Sequence, residues 1–195
     1  MKLKEERTLI LIKPDAVKRG IAGNILQRME QRGLKIIGLK MVKPSIGLIE
    51  KHYPENDKQR IAMGTKTLET YERYNIDPSA ELGTADPLKI GMMIEGWNKE
   101  YISSGPVVAA VLSGIHAVDV VRKIAGNTLP FKADMGTIRG DYSIDSPLLA
   151  NKNKRAIRNV LHASGNVEEA EHEIDLWFKK DELYFYKTGH EDIMF

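Results

Sequence analysis

Residues Thr8 to Ile12 read Thr-Leu-Ile-Leu-Ile and are halted by Pro14. This β-branched and leucine-rich run reads as a buried strand, and the proline leaves Lys13 and Asp15 at its C-terminal end, where chemistry often gathers. Ile21, Ile25, Leu26 and Met29 then recur at helical spacing, and Gly33 supplies the stop. A second strand, Leu34 to Val42, follows at once, and Leu48 to His52 reads as a short helix. Beyond a polar interval, Ile90, Met93, Ile94 and Trp97 mark a helix, Pro106 to Leu112 a strongly apolar strand, and Val118 to Ile124 another helix. Ile157 to Leu161 forms a last short strand. Asn166-Val-Glu-Glu169 looks like the capped start of a helix running to Phe178. The alternation of helix and strand predicts an α/β or α+β sandwich.

Two stretches interrupt this pattern. Residues 54 to 87 are polar and carry Pro54, Pro78 and Pro87, so they read as an insertion. From Leu129 to Asn159 the chain is rich in Gly, Pro, Asp, Asn and Lys without an apolar period, which predicts a long loop. No internal repeat or low-complexity tract is present.

Composition narrows the function by exclusion. The 29 basic and 27 acidic side chains are interspersed, and the net charge is +2, so no electrostatic footprint for nucleic acid or a membrane stands out. The absence of cysteine removes disulfides, thiolate metal sites and cysteine nucleophiles. The apolar run after MKLKEER is too short for a signal-peptide core, and no stretch approaches the roughly 18 apolar residues of a membrane span, so a cytoplasmic protein is expected.

No glycine-rich phosphate loop is present, neither GxxxxGK[ST] nor GxGxxG. Any bound phosphate must therefore be held by side chains. His162 ends the apolar run 157–161 and precedes Ala163-Ser164-Gly165, small residues that leave room around the ring and lead into a helix N-terminus suited to an anion. An imidazole there is largely neutral at pH 7 and nucleophilic through one nitrogen, while the other needs an orienting partner. Glu173, beside the stripe Val167, Ala170, Ile174 and Trp177, is the candidate. Each residue also has an ordinary reading: His162 as a satisfied strand-end histidine, Glu173 as a solvated helix residue, Lys13 as a solvated strand end, Arg139 as a turn arginine between glycines. His52, His116, His172 and His190 have no comparable setting and read as surface or packing residues.

Taken together, LIKPDAV with KRG at 11–20, SGPVVA at 104–109, GTIRGDYS at 136–143, NVLHAS at 159–164 and EEAEHEIDLWF at 168–178 resemble the nucleoside diphosphate kinase family in motif, order and spacing. The resemblance implies a ferredoxin-like βαββαβ fold, an antiparallel four-stranded sheet covered by helices, in a single domain spanning 1–195. It implies transfer of a γ-phosphoryl group from a nucleoside triphosphate to a nucleoside diphosphate by a ping-pong route through phosphorylated His162, with Mg²⁺ carried by the nucleotide phosphates rather than by protein ligands. Lys13, Tyr53, Arg122, Thr128, Arg139 and Asn159 fall at the family's phosphate and ribose contacts, and Lys13 counts with His162, Glu173 and Ser164 as catalytic. Glu173 falls at the carboxylate that orients the histidine. Ser164 falls at the active-site serine, positioned to touch the imidazole or the leaving group. A homo-oligomer, tetramer or hexamer, is implied as well. Competing classes are a non-catalytic module on the same fold, which loss of the histidine would have signalled, and a ferredoxin-like RNA-binding module, which would want aromatic strands and a basic face.

The sequence departs from the family pattern in three places. Gly165 stands where the family often has aspartate. Insertions at about 56–88 and 145–155 lengthen the chain, and the first displaces the family's base-stacking phenylalanine. Within it, Ile61, Leu68, Tyr71 and Tyr74 fall near helical spacing, and Asn75-Ile-Asp-Pro78 reads as a stop. That segment reads either as a mostly helical base-side wall of the nucleotide site, with the tyrosines over the base, or as a peripheral decoration.

Overall fold

The computed structural model describes residues 5–189 and 191–194, so His190 lies outside the described residues. Along the chain, β1 (Glu5–Ile12) leads through helices α1 (Pro14–Lys18) and α2 (Ala22–Gln31) to β2 (Lys35–Val42). Four helices follow: α3 (Ile46–His52), α4 (Asp57–Arg73), α5 (Pro78–Leu82) and α6 (Pro87–Ser103). After β3 (Val107–Ile115) come α7 (Ala117–Ala125), α8 (Ile138–Tyr142) and α9 (Pro147–Lys152), then β4 (Leu161–Ala163), α10 (Val167–Trp177) and α11 (Glu191–Met194).

The strands form one antiparallel sheet in the order β2-β3-β1-β4, the βαββαβ arrangement. The unbroken apolar run of β1 has a direct cause, since helices cover both faces of the sheet. Ile10 and Ile12 point into a cluster with Ile25 and Met29 of α2 and Val121 of α7. Leu9 and Leu11 point the other way, onto Ile49 of α3, Ile102 of α6 and Ile174 and Trp177 of α10. Every residue from Leu9 to Ile12 is fully buried.

The stretch from α4 to α6 is helical and carries a further small core. Tyr71, Leu82 and Ile90 are buried together, with Leu68, Met93 and Trp97 packed against them. Asn56 caps α4 through its side chain, and Asn75, in the left-handed region at φ 52°, ends the helical path shortly after Arg73. Helices α4 and α6 cross closely because Gly64 lies on the Pro87 carbonyl and Gly91 on that of Arg60, leaving no space for a methyl at either position.

Two expectations are corrected. The segment 129–159 is not a plain loop: Thr137 and Ser146 cap α8 and α9 with their side chains, and both helices are too short to show a period. The last strand begins at Leu161 rather than at Ile157. Val160 adopts φ 60° and the Leu161 N–H bonds the Asn159 carbonyl at 2.7 Å, so a tight turn delays the pairing. A β-branched residue in the left-handed region is strained, and here full burial holds it.

Candidate active site

His162 sits within β4, opposite Leu11 of the central strand β1. Its Nε2 lies 2.7 Å from Oε1 of Glu173. Glu173 belongs to the buried stripe of α10, with Ala170, Ile174 and Trp177, so the helix drives the carboxylate inward, where it must find partners. Val167, expected on that stripe, is exposed instead. Oε2 takes the second bond, accepting from the Ser164 hydroxyl at 2.6 Å. Burial alone would push the Glu173 carboxyl up, yet the hydrogen bond and charge of His162, the neighbouring His52 and the Ser164 hydroxyl outweigh it and hold the group below its ordinary value. An ionised carboxylate at Nε2 fixes the tautomer: Nε2 carries the proton, and Nδ1 keeps its lone pair for chemistry.

The Ser164 hydroxyl faces the Glu173 carboxylate. It is fully buried, its oxygen also accepts the Leu9 N–H at 3.2 Å, and it reaches the imidazole only through Glu173. His52, read from sequence as a surface or packing residue, is a packing one. It is buried with Ile49 on the inner face of α3, its ring 4.6 Å edge-on to that of His162. Its Nδ1 accepts the Trp177 indole N–H at 3.3 Å, and burial, then the charge of His162, push its pKa down to about 3. Tyr53 packs edge-on against it and lines the same cavity of about 460 Å³ as His162, Glu173 and His172. His116 is exposed at the start of α7.

The cationic residues gather on the other side of β4. Arg139 is buried and its guanidinium bonds the carbonyls of Gly126 at 2.6 Å, Leu161 at 2.9 Å and Asn159 at 3.3 Å. Lys13 is also buried, with Nζ 2.7 Å from Asn159 Oδ1 and 5.3 Å from the Tyr101 ring centre. Asn159 in turn donates to the Thr128 carbonyl at 3.1 Å. Burial, then the charge of Arg139, lowers the Lys13 pKa to about 7, against an upward pull from Asp15. Burial, then Arg122, lowers Arg139 to about 10. These buried cations destabilise one another, and an anion placed among them would relieve the repulsion. A cavity of about 230 Å³ between Arg122, Thr128, Arg139 and Ala163 offers the place.

Gly165 also gains an explanation. A Cβ there would meet the Glu169 carboxylate at 2.6 Å and lie 3.7 Å from Nη1 of Arg122, so a carboxylate from the next helical turn fills the space of the missing aspartate. Helix α4 borders the cleft, with Asn56, Met63 and Lys66 facing the His162 cavity. Lys66 and Tyr74 also line an adjoining hollow with Thr128 and Phe131. Tyr71, expected on that wall, points away into the small core it shares with Leu82 and Ile90 and is 1 % exposed.

The comparisons with known proteins agree with this geometry. The family model for nucleoside diphosphate kinase matches residues 6–68 and 97–183, so it takes in residues 56–68 of the expected insertion, most of α4 among them, and leaves 69–96 unmatched. A nucleoside diphosphate kinase from Pyrobaculum aerophilum is 48% identical over 178 residues, covering 91% of this chain and 97% of the relative. A crystal structure of an NDP kinase from the same organism superposes with a TM-score of 0.89 at 46% identity, covering 93% of this chain and all of that one. The nucleoside diphosphate kinase of Borrelia burgdorferi, solved as a transition-state mimic with vanadate and ADP, superposes with a TM-score of 0.79 at 32% identity, over 97% of this chain and 96% of that one.

Proposed function

Because this chain belongs to the nucleoside diphosphate kinase family and is an enzyme of nucleotide phosphoryl transfer, we propose that it works by a ping-pong cycle through phosphorylated His162. The 2.7 Å bond between His162 Nε2 and Glu173 carries the reading, because it leaves Nδ1 as the nucleophilic nitrogen and holds the ring still. In the first half-reaction the Nδ1 lone pair forms a bond to the γ-phosphorus while the bond to the bridging oxygen breaks. The nucleoside diphosphate departs with that electron pair. Glu173 stabilises the positive charge that develops on the ring, and Ser164 holds the carboxylate in place. The second half-reaction reverses these steps onto a different diphosphate.

Lys13, Arg122 and Arg139 stabilise the charge that spreads over the phosphoryl oxygens, with Thr128, Tyr53 and Asn159 setting phosphate and ribose position. Among the described residues, the lining of the arginine cavity contains no carboxylate. That donor set suits phosphate oxygens, so Mg²⁺ would arrive on the nucleotide, where it neutralises the phosphates. The vanadate and ADP of the Borrelia relative support a diphosphate beside a phosphoryl mimic in this cleft. The same reading brings a single domain, a homo-oligomer of four or six chains, and a cytoplasmic setting.

The test is to incubate the protein with γ-labelled ATP and chase with GDP. Acid-labile label should accumulate on the protein, move to GDP, and vanish in His162→Ala. Acid-labile phosphate retained by that variant would remove His162 as the nucleophile.

A further inference from the structure

His52 has no part in the transfer just described, yet its imidazole is buried beside the nucleophile at a cost that an aliphatic residue would not incur. Its Nε2 is buried with no hydrogen-bond partner among the described residues. Its Nδ1 lies 3.4 Å from Oε1 of Glu173, the oxygen that His162 Nε2 approaches to 2.7 Å. One donor atom each from His52, His162 and Glu173 lies within 4.8 Å of the other two. A tetrahedral ion with bonds of about 2.1 Å wants its donors about 3.4 Å apart, so the group is close to a two-histidine, one-carboxylate site before any adjustment.

We propose that His52, His162 and Glu173 form a latent binding site for a zinc-class divalent ion, and that filling it silences phosphoryl transfer. The donor chemistry selects the ion: two imidazoles and one carboxylate suit Zn²⁺ or Co²⁺ and not the oxygen-seeking Mg²⁺. The cavity over the group leaves room for water at the fourth position, and the Glu169 carboxylate on its wall favours the approach of a cation. The Trp177 N–H contact, at 3.3 Å, gives way to the ion. The ion replaces the proton that Nε2 donates to Glu173, and that proton leaves to solvent. A metal-bound ring has less electron density at Nδ1 and no longer has its carboxylate, so attack on phosphorus slows.

Only the silencing rests on His162 as nucleophile; the binding does not. Co²⁺ is the probe, added to the full chain and read by its visible absorption. One equivalent per chain should give intense tetrahedral bands that Zn²⁺ abolishes. His52→Gln should weaken binding at least about tenfold, while His172→Gln, which alters the cavity wall outside the group, should not. Weak six-coordinate bands, or equal affinity in His52→Gln, would overturn the site. Should His52→Gln fail to fold, ¹⁵N-histidine spectra of the unaltered protein decide, because Zn²⁺ must shift both His52 and His162 and their silence overturns the proposal. Equimolar Zn²⁺ should also stop ATP-to-GDP transfer at saturating Mg²⁺. Tight binding with transfer undiminished would overturn the silencing and count against His162, while the site itself would stand.

Discussion

Glu173 is buried, ionised and bonded to His162 and Ser164 through different oxygens, so removing its charge should be felt in the chemistry more than in binding. Glu173→Gln should lower kcat by roughly ten- to a hundredfold with nucleotide KM little changed, as single-turnover and steady-state rates will show. Lys13 makes a second prediction at this scale. Its pKa of about 7 in the folded chain lies below the ordinary 10.5. The unfolded chain therefore binds that proton more readily, and this residue's contribution makes folding stability rise from about pH 7 to 10.5, readable as the pH dependence of denaturant midpoints. Phosphate binding needs the proton, so kcat/KM should fall as pH climbs through about 7 to 8, and Lys13→Arg should flatten that fall. His162 and Glu173 could be singled out in the sequence because one ends an apolar run and the other sits beside a helical stripe. That His52 packs against the His162 ring could not, since the two are more than 100 residues apart in the chain. Nor does sequence order tell that the Ser164 hydroxyl faces the Glu173 carboxylate.

At the scale of elements, legibility followed length and coverage. β1 and β3 were readable because helices bury both their faces and leave continuous apolar runs. α8 and α9 span five and six residues, under two turns, too short for a helical period to show in the sequence. The start of β4 was misplaced because a strained turn at Val160 has no signature in composition: valine is among the residues least suited to positive φ. The α4–α6 crossing was equally hidden, since Gly64 and Gly91 look like weaknesses in a helix until the facing carbonyls are seen. Gly64→Ala should therefore destabilise the protein, by about 1–3 kcal/mol in urea unfolding, although alanine is the better helix former. A stabilised Gly64→Ala would show that the crossing tolerates separation.

In the whole molecule, two apolar clusters clamp the sheet and a third, around Tyr71, Leu82 and Ile90, joins α4, α5 and α6. The two tyrosines expected on one wall thus divide. Tyr71→Ala should cost about 3–5 kcal/mol, lowering the thermal midpoint. Tyr74→Ala should leave stability nearly unchanged and raise nucleotide KM with kcat preserved, if the hollow it shares with Phe131 receives part of the nucleotide. An unaltered KM in Tyr74→Ala would make the hollow irrelevant to binding. The βαββαβ frame was legible as a family pattern, whereas the destination of α4 was not, because nothing local tells a polar helix which surface it will border. Since α4 is held by α6 and the cluster around Tyr71, the wall of the cleft and its floor are anchored in different parts of the fold. Substitutions at Asn56, Met63, Lys66 and Tyr74 can reshape the wall while leaving untouched the strand that carries His162.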